Sequence, residues 1–164
     1  MKNLIMINST AIQISSVLNI ECTRSDILCP SKKKALEIVS ELAAKQLKIA
    51  PKIVLNAVLT RERMGSTGIG KGIAIPHGKL EEEDIHVVAG VFIRLGQPIA
   101  FGSIDNQPVD LLFALLVPEE LCQIHLHTLS LVAKHLTDKT ICRRLRDARN
   151  ARELYHIITE NKGE

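Results

Sequence analysis

The chain has 164 residues, of which 46% are hydrophobic and 24% are charged. A single domain usually spans about 100–200 residues, so these proportions indicate one globular domain and exclude a disordered or fibrous chain. The net charge is only +3, and aromatic residues make up 2% of the chain. Single-stranded nucleic acid is bound by several stacking aromatic side chains, so this composition argues against a nucleic-acid partner.

No segment of the sequence predicts insertion into a membrane or secretion. The longest apolar run, Leu111–Val117, is too short to cross a bilayer. The apolar patch at residues 4–7 is too short for the core of a signal peptide. The four cysteines form no Cys-x-x-Cys pair and are interpreted as reduced thiols. We therefore expect a cytoplasmic protein without membrane insertion.

The first half of the chain predicts two helices after a lead-in at residues 1–12. Ser31 suits the N-cap of a helix over residues 32–47, in which apolar side chains recur at i, i+3, i+4 and i+7. Pro51 suits the first turn of a second helix. A glycine-rich stretch then marks a change of periodicity.

The middle of the chain predicts β-strands. Ile73–Pro76 is short and β-like, and Pro76 should end it. The acidic segment Leu80–Asp84 is expected to be exposed. Residues 87–95 and 109–117 are almost continuously apolar, which is typical of strands buried on both faces, and residues 105–108 predict a turn between them.

The last third of the chain again predicts helices. They are expected over residues 124–136, with Leu126 on the apolar face, over about residues 139–146, and over about residues 151–159. Asn150 followed by Glu153 is a suitable cap for the last helix. We predict one layered α/β domain over residues 13–160, with helices covering the sheet on two sides and a short tail at residues 161–164.

The glycine-rich stretch raises the question of a nucleotide site. Gly65–Lys71 matches the first seven positions of a P-loop, but Gly72 stands where Ser or Thr would hold magnesium. The stretch also follows a helical pattern and leads into a β-like one, the reverse of a P-loop. The glycines favour instead a loop whose amides turn inward around an anion, with a simple flexible connection as the alternative.

Three histidines are candidates for chemistry. His77 lies between Pro76, which fixes the backbone, and Gly78, which has no side chain to obstruct a large partner. The alternative is an ordinary surface histidine without a chemical role. His125 and His127 would point about 200° apart on a helix and could not share one metal ion. No cysteine pair or His-Glu-x-x-His motif supplies other ligands, so we predict no metal and no cofactor.

A group of arginines lies near the C-terminus. The favoured interpretation is a solvated helix face, because acidic residues are interspersed with them. They are Arg143, Arg144, Arg146, Arg149 and Arg152.

Residues 60–79 closely resemble the active-site signature of the enzyme IIA domains of the phosphotransferase system, in their mannitol/fructose class. Residues 105–118 and 125–133 extend the similarity, which covers about residues 13–160 and is greatest for the nitrogen-regulatory branch of the family. The resemblance implies a mixed β-sheet flanked by helices on both faces, in agreement with the layered α/β domain.

The resemblance also implies an activity, that of a phosphohistidine-forming phosphotransferase. His77 matches the phosphorylated histidine, and His125 and Arg61 match supporting residues of the site. The expected donor is a small HPr-like carrier protein, NPr in the nitrogen branch, and the phosphorylation state would control partners such as potassium-transport components. The residues that match the loop around the phosphate are Gly65, Ser66, Thr67, Gly68 and Gly70.

Two other functions stay open at this point. A sugar-transport enzyme IIA would pass the phosphoryl group to a separate enzyme IIB. A binding module without phosphoryl chemistry would use His77 only as a structural residue. The sequence does not indicate which imidazole nitrogen would react.

Overall fold

The computed structural model describes residues 13–81 and 85–160. The predicted lead-in, the tail and part of the acidic segment lie outside these residues. The α-helices are α1 Lys32–Leu47, α2 Pro51–Glu62, α3 Cys122–Leu136, α4 Lys139–Asp147 and α5 Ala151–Ile158. The β-strands are β1 Thr23–Ile27, β2 Gly68–Gly70, β3 Ile73–Ala74, β4 His77–Leu80, β5 Ala89–Ile99 and β6 Val109–Pro118.

Three helices begin where local chemistry predicts. The Ser31 hydroxyl accepts a hydrogen bond from the Lys34 amide at 3.2 Å, and Pro51 is in the first turn of α2. The Asn150 side chain accepts a hydrogen bond from the Glu153 amide at 2.9 Å. Such caps satisfy amides that have no partner inside the helix. The predicted starts of α1, α2 and α5 are therefore confirmed.

The six strands form one mixed sheet in the order β1-β5-β6-β3-β2, with β4 also paired to β6. The central pair β5 and β6 is antiparallel. β1 runs parallel to β5, β3 and β4 run parallel to β6, and β2 is antiparallel to β3. Residues 111–116 of β6 are all fully buried. Because successive side chains of a strand point to opposite faces, this continuous burial means that both faces of the sheet are covered. The mixed sheet with helices on both faces is confirmed.

The course of the chain differs from the predicted one at the edges of the sheet. β1, with the sequence TRSDI, was not predicted because it lacks an apolar pattern; it pairs with β5. β3 ends at Ala74, before the proline that was predicted to end it, and the chain resumes at His77 as β4 along the same neighbour, β6. The Leu115 amide donates to the Pro76 carbonyl at 2.9 Å, which keeps the two short strands aligned.

Three burial predictions are wrong. Val87, expected in a strand buried on both faces, is 60% exposed because β5 begins only at Ala89. Leu80, expected at the start of an exposed acidic segment, is 2% exposed because it ends β4 inside the sheet. Leu126, expected on the buried face of its helix, is 60% exposed. The buried face of α3 instead carries Thr128, Val132 and Leu136. No helix of the described residues is long and apolar enough to cross a membrane.

Candidate functional site

His77 is the first residue of β4 and is half-buried. Its Nδ1 lies 2.8 Å from the carbonyl oxygen of Ile75, which can only accept, so Nδ1 carries the proton of the neutral ring. Its Nε2 lies 3.1 Å from Nε of Arg61, which can only donate. The two contacts together select one tautomer and leave the lone pair on Nε2.

Arg61 reaches His77 from the last turn of α2. Its Nη1 donates to the carbonyl oxygen of Gly65 at 2.8 Å, which fixes the plane of the guanidinium. Gly65 has a φ of +145°, a backbone conformation that residues other than glycine rarely adopt. This backbone turn directs the carbonyl back toward the helix end, so Arg61 is held between the loop and the imidazole.

The electrostatic setting keeps the imidazole of His77 neutral. Burial lowers its pKa most, and the positive charge of Arg61 lowers it further. The hydrogen bond to Ile75 and the negative charge of Glu62 oppose this shift without reversing it. A neutral imidazole, with an unprotonated nitrogen that keeps its lone pair, is the form that can act as a nucleophile.

His125 enters the same site from α3. Its Nδ1 lies 2.9 Å from the hydroxyl of buried Thr128, and burial lowers its pKa. His127, two residues on, is exposed, as the helical geometry predicted. The structure therefore brings His77, Arg61 and His125 to one place and leaves His127 out. Within residues 13–81 and 85–160, no group of three or more His, Cys, Asp or Glu side chains is arranged to hold a metal ion.

These three residues line a cavity of about 670 Å³ between α2, β4 and α3. Met64 and Leu126, which are 77% and 60% exposed, are among the lining residues, so the cavity presents apolar side chains to the solvent. The full lining consists of Ile53, Asn56, Ala57, Thr60, Arg61, Met64, His77, Gly78, Lys79, Leu80, Glu81, Val117, Cys122, His125, Leu126 and Leu129.

The predicted phosphate loop lies beside this cavity. None of its five residues is in the lining, and three of their amides are already used: those of Gly65 and Thr67 donate to Glu62, and that of Gly68 donates to the Ser66 hydroxyl. The structure does not bring these amides together with His77 as a ready-made anion site. Direct contact between the loop and a phosphoryl group stays a prediction.

Gly78 has a different role from the predicted one. It is buried, and a Cβ atom there would lie 2.9 Å from the backbone carbon and oxygen of Ala57. The missing side chain therefore lets β4 pack directly against α2. It does not leave an approach to His77 open, as the sequence interpretation assumed.

Three of the five C-terminal arginines pair with carboxylates. Arg144 pairs with Glu160, Arg146 with Asp110, and Arg149 with Glu153. None of the five lines the cavity. This arrangement agrees with a solvated, ion-paired face.

Two residues near the site were not predicted from the sequence, Glu62 and Cys122. The carboxylate of Glu62 accepts hydrogen bonds from both the amide and the hydroxyl of Thr67, and it pairs with Lys32. Cys122 lines the cavity from the first position of α3. The partners of Glu62, Lys32 and Thr67, lie on opposite sides of it in the sequence. The only signal in the sequence that pointed to Glu62 as part of the site was its position directly after Arg61.

Residues 16–161 match the family described as "Phosphoenolpyruvate-dependent sugar phosphotransferase system, EIIA 2". The "Nitrogen regulatory protein" of Escherichia coli K12 is 68% identical over 156 residues, which cover 95% of either chain. The crystal structure of the nitrogen regulatory protein IIA-Ntr from Neisseria meningitidis superposes with a TM-score of 0.83 at 34% identity, covering 89% of this chain and 99% of that one.

The mannitol IIA of E. coli has the same fold, with a TM-score of 0.65 at 23% identity over 81% of this chain and 92% of that one. The family match covers far more than half of the sequence. The chain belongs to the EIIA 2 family of the phosphotransferase system, a family of phosphotransfer carriers.

Proposed function

We propose that this protein is a regulatory phosphocarrier of the nitrogen-regulatory phosphotransferase system and accepts its phosphoryl group on Nε2 of His77. The observation that carries the proposal is the pair of hydrogen bonds on the ring. Ile75 holds the proton on Nδ1 and Arg61 faces the lone pair of Nε2, at the wall of an open cavity. The names of the similar nitrogen regulatory proteins support the choice of branch.

The proposed step exchanges one phosphorus–nitrogen bond for another. Nε2 of His77 attacks the phosphorus of a phosphohistidine on an HPr-like carrier, and the imidazole of the carrier leaves with the electron pair of the broken bond. His77 keeps its Nδ1 proton, which continues to donate to Ile75. Because donor and product are both phosphohistidines, the transfer is close to balanced in free energy. Acceleration then comes from positioning and from donors to the phosphoryl oxygens.

Arg61 and His125 are the proposed donors. The guanidinium of Arg61 has to leave Nε2 when phosphorus arrives, and its fork of N–H groups matches the oxygens of a phosphoryl group. Its contact with the Gly65 carbonyl is able to guide that movement. His125 faces the same cavity, and the ring nitrogen that is not in contact with Thr128 is available for a hydrogen bond to a phosphoryl oxygen.

The proposed partners meet the protein at the opening of this cavity, in the cytoplasm. The donor is the carrier of the nitrogen branch, NPr, and the regulated targets include potassium-transport components. Met64 and Leu126 offer exposed apolar contact next to the charged Arg61 and Lys79. A phosphoryl group adds about −1.5 to −2 charges at neutral pH, so its presence alters this surface for every partner that touches it.

The experiment that tests the proposal is reconstitution of the phosphate relay. The protein is incubated with phosphoenolpyruvate, the general phosphotransferase and the HPr-like carrier, and its mass is recorded before and after acid treatment. We expect the mass of one phosphoryl group, lost in acid, with none on His77→Ala and wild-type labelling of His127→Ala. Circular dichroism shows whether His77→Ala is folded. Acid-labile labelling of folded His77→Ala would contradict the assignment.

The regulatory part of the proposal has its own test. A partner responds to phosphorylation only if its affinity differs between the two forms. We expect a captured target to bind unmodified protein and His77→Ala more tightly than phosphorylated protein and His77→Asp. Equal dissociation constants for all four would mean that the modification is not the switch for that target. Transfer to a sugar-specific enzyme IIB would favour the sugar-transport function instead.

A further inference from the structure

Glu62 is the residue at which two chains of hydrogen bonds meet, each leading to a different nitrogen of His77. Its carboxylate is 6% exposed and accepts from the Thr67 amide at 2.9 Å and from the Thr67 hydroxyl at 2.7 Å. Lys32, at the start of α1, pairs with it at 2.9 Å. Lys32 lies in turn 4.6 Å above the ring of Phe101.

The first chain of contacts ends at Nε2. By binding Thr67, the side chain of Glu62 closes residues 62–67 into a loop, and its own backbone carbonyl accepts from the Gly65 amide at 3.1 Å. The carbonyl of Gly65 within this loop accepts from Arg61, and Arg61 donates to Nε2 of His77. The loop therefore sets the orientation of the guanidinium.

The second chain of contacts ends at Nδ1. The carbonyl of Thr67 accepts a hydrogen bond from the Ile75 amide at 3.0 Å, and the carbonyl of Ile75 accepts one from Nδ1 of His77 at 2.8 Å. Thr67 itself is held through both its amide and its hydroxyl by Glu62. The position of the Ile75 carbonyl therefore depends on the same carboxylate.

The carboxylate is maintained in its charged form. Burial by itself would raise the pKa of Glu62, but the hydrogen bonds from Thr67 and Lys32 outweigh it, and the pKa is lowered. A charged carboxylate accepts several hydrogen bonds at once, whereas a neutral amide in its place loses both the ion pair and part of the accepting capacity.

We propose that Glu62, held by Lys32, is a positioning residue for His77. Glu62 fixes both the tautomer of the His77 imidazole and the orientation of Arg61. The inference deepens the proposed function, on which its kinetic part rests. Glu62 does not touch the reacting atoms, and it acts through Thr67 on the carbonyls of Gly65 and Ile75. A displacement of about 1 Å in a reacting group can slow a reaction about 100-fold, so loss of this support should be visible in the transfer rate.

The test compares Glu62→Ala, Glu62→Gln and Thr67→Val with the wild type. The matched control is Glu37→Ala. Glu37, like Glu62, pairs with a lysine of α1: its Oε1 lies 3.8 Å from Nζ of Lys34, and this pair is more exposed than that of Lys32 and Glu62. The first measurement is the ¹H–¹⁵N spectrum of the imidazole nitrogens of His77 in unphosphorylated protein. The second is the single-turnover rate of phosphoryl acceptance.

In wild-type protein and in Glu37→Ala we expect a single tautomer with the proton on Nδ1. In Glu62→Ala we expect a mixture of tautomers and a rate about 10- to 100-fold lower. Glu62→Gln and Thr67→Val keep part of the hydrogen bonding and should fall between. A purely structural residue would lower the melting temperature of the variants without changing the tautomer.

A wild-type spectrum and a wild-type rate in folded Glu62→Ala would overturn the inference. If Glu62→Ala does not fold, the same two readings on Glu62→Gln decide it in the same way. The spectrum needs no phosphoryl donor. A wild-type protein that accepts no phosphoryl group would therefore refute the proposed function while leaving the positioning of His77 by Glu62 to be judged on the spectra.

Discussion

Nε of Arg61 donates a hydrogen bond to Nε2 of His77 over 3.1 Å, so a cation covers the nitrogen that is proposed to react. The same guanidinium donates to the Gly65 carbonyl, which keeps it at the site when the first contact breaks. An incoming phosphoryl group thus displaces Arg61 from Nε2, and the N–H groups of Arg61 can then donate hydrogen bonds to the phosphoryl oxygens. The resting contact and the proposed catalytic contact use the same side chain.

Replacing Arg61 with Ala should slow phosphoryl acceptance. Removing one well-placed donor to a developing oxyanion costs about 100- to 1,000-fold in rate. Arg61→Lys should recover only part of the loss, because an ammonium lacks the planar fork. The measurement is the single-turnover rate with a phosphorylated carrier, and exposed Arg63→Ala is the matched control. Equal rates in Arg61→Ala and Arg63→Ala would exclude the role.

His125→Ala should slow the transfer but leave His77 able to be labelled. The expected reason is the loss of a hydrogen bond to the phosphoryl group, since His125 lines the cavity without occupying the position of His77. His127→Ala is the control, because it removes an exposed histidine from the same helix. Quenched-flow labelling separates the rate from the final extent. An unchanged rate, or a complete loss of labelling at long times, would contradict the assignment of His125 as a supporting residue.

The pH dependence should follow the lowered pKa of His77. Burial is the main cause of that shift, so the imidazole should titrate below the ordinary value of about 6.5 when followed by ¹H–¹⁵N NMR. Its lone pair stays available as the pH falls to that value, and the rate of acceptance should stay level there. A rate that already falls well above pH 6.5 in step with protonation of His77 would contradict this expectation.

The same shift predicts a change in stability. Because the pKa of folded His77 is lowered, the unfolded chain binds its proton first as the pH falls. The contribution of His77 to the free energy of unfolding is therefore intact above about pH 6.5 and is lost below it. Denaturation across this range should show a larger loss in the wild type than in His77→Ala, if both fold, because His125, whose pKa is also lowered, titrates in both proteins. Parallel pH profiles would contradict the prediction.

Gly78→Ala should destabilise the fold and disturb the neighbouring His77. The added Cβ would lie 2.9 Å from the backbone of Ala57, so α2 and β4 would have to separate. Overpacking of this kind costs about 1–3 kcal/mol of unfolding free energy. Gly96→Ala is the control, because the Cβ there comes close only to the flexible end of Leu28, at 3.2 Å, and its nearest backbone atoms are at an ordinary contact distance of 3.8 Å or more. Equal stability of the two variants in urea would show that the close approach of β4 to α2 is not required.

Local signals in the sequence were sufficient for the helices and for the central strands. Ser31, Pro51 and Asn150 begin helices through contacts within a few residues, and the apolar runs of β5 and β6 indicate burial directly. The strand β1 could not be found in this way. It is polar, and its pairing with β5 joins segments that are far apart in the sequence.

The site was predictable to a similar degree. The motif and its resemblance pointed to His77, Arg61 and His125, which the structure brings to one cavity, while their roles stay predictions. They did not show how these residues are held, because the supporting atoms are backbone carbonyls of Ile75 and Gly65. The role of Gly78 was misjudged for the same reason, since its close neighbour is the backbone of another element.

The most direct test of the central claim is the ¹H–¹⁵N long-range spectrum of the protein after phosphorylation by its carrier. The geometry predicts one phosphohistidine, His77, with the phosphoryl group on Nε2 and the proton retained on Nδ1 opposite Ile75. A phosphoryl group on Nδ1 of His77, or on any other histidine, would contradict the account.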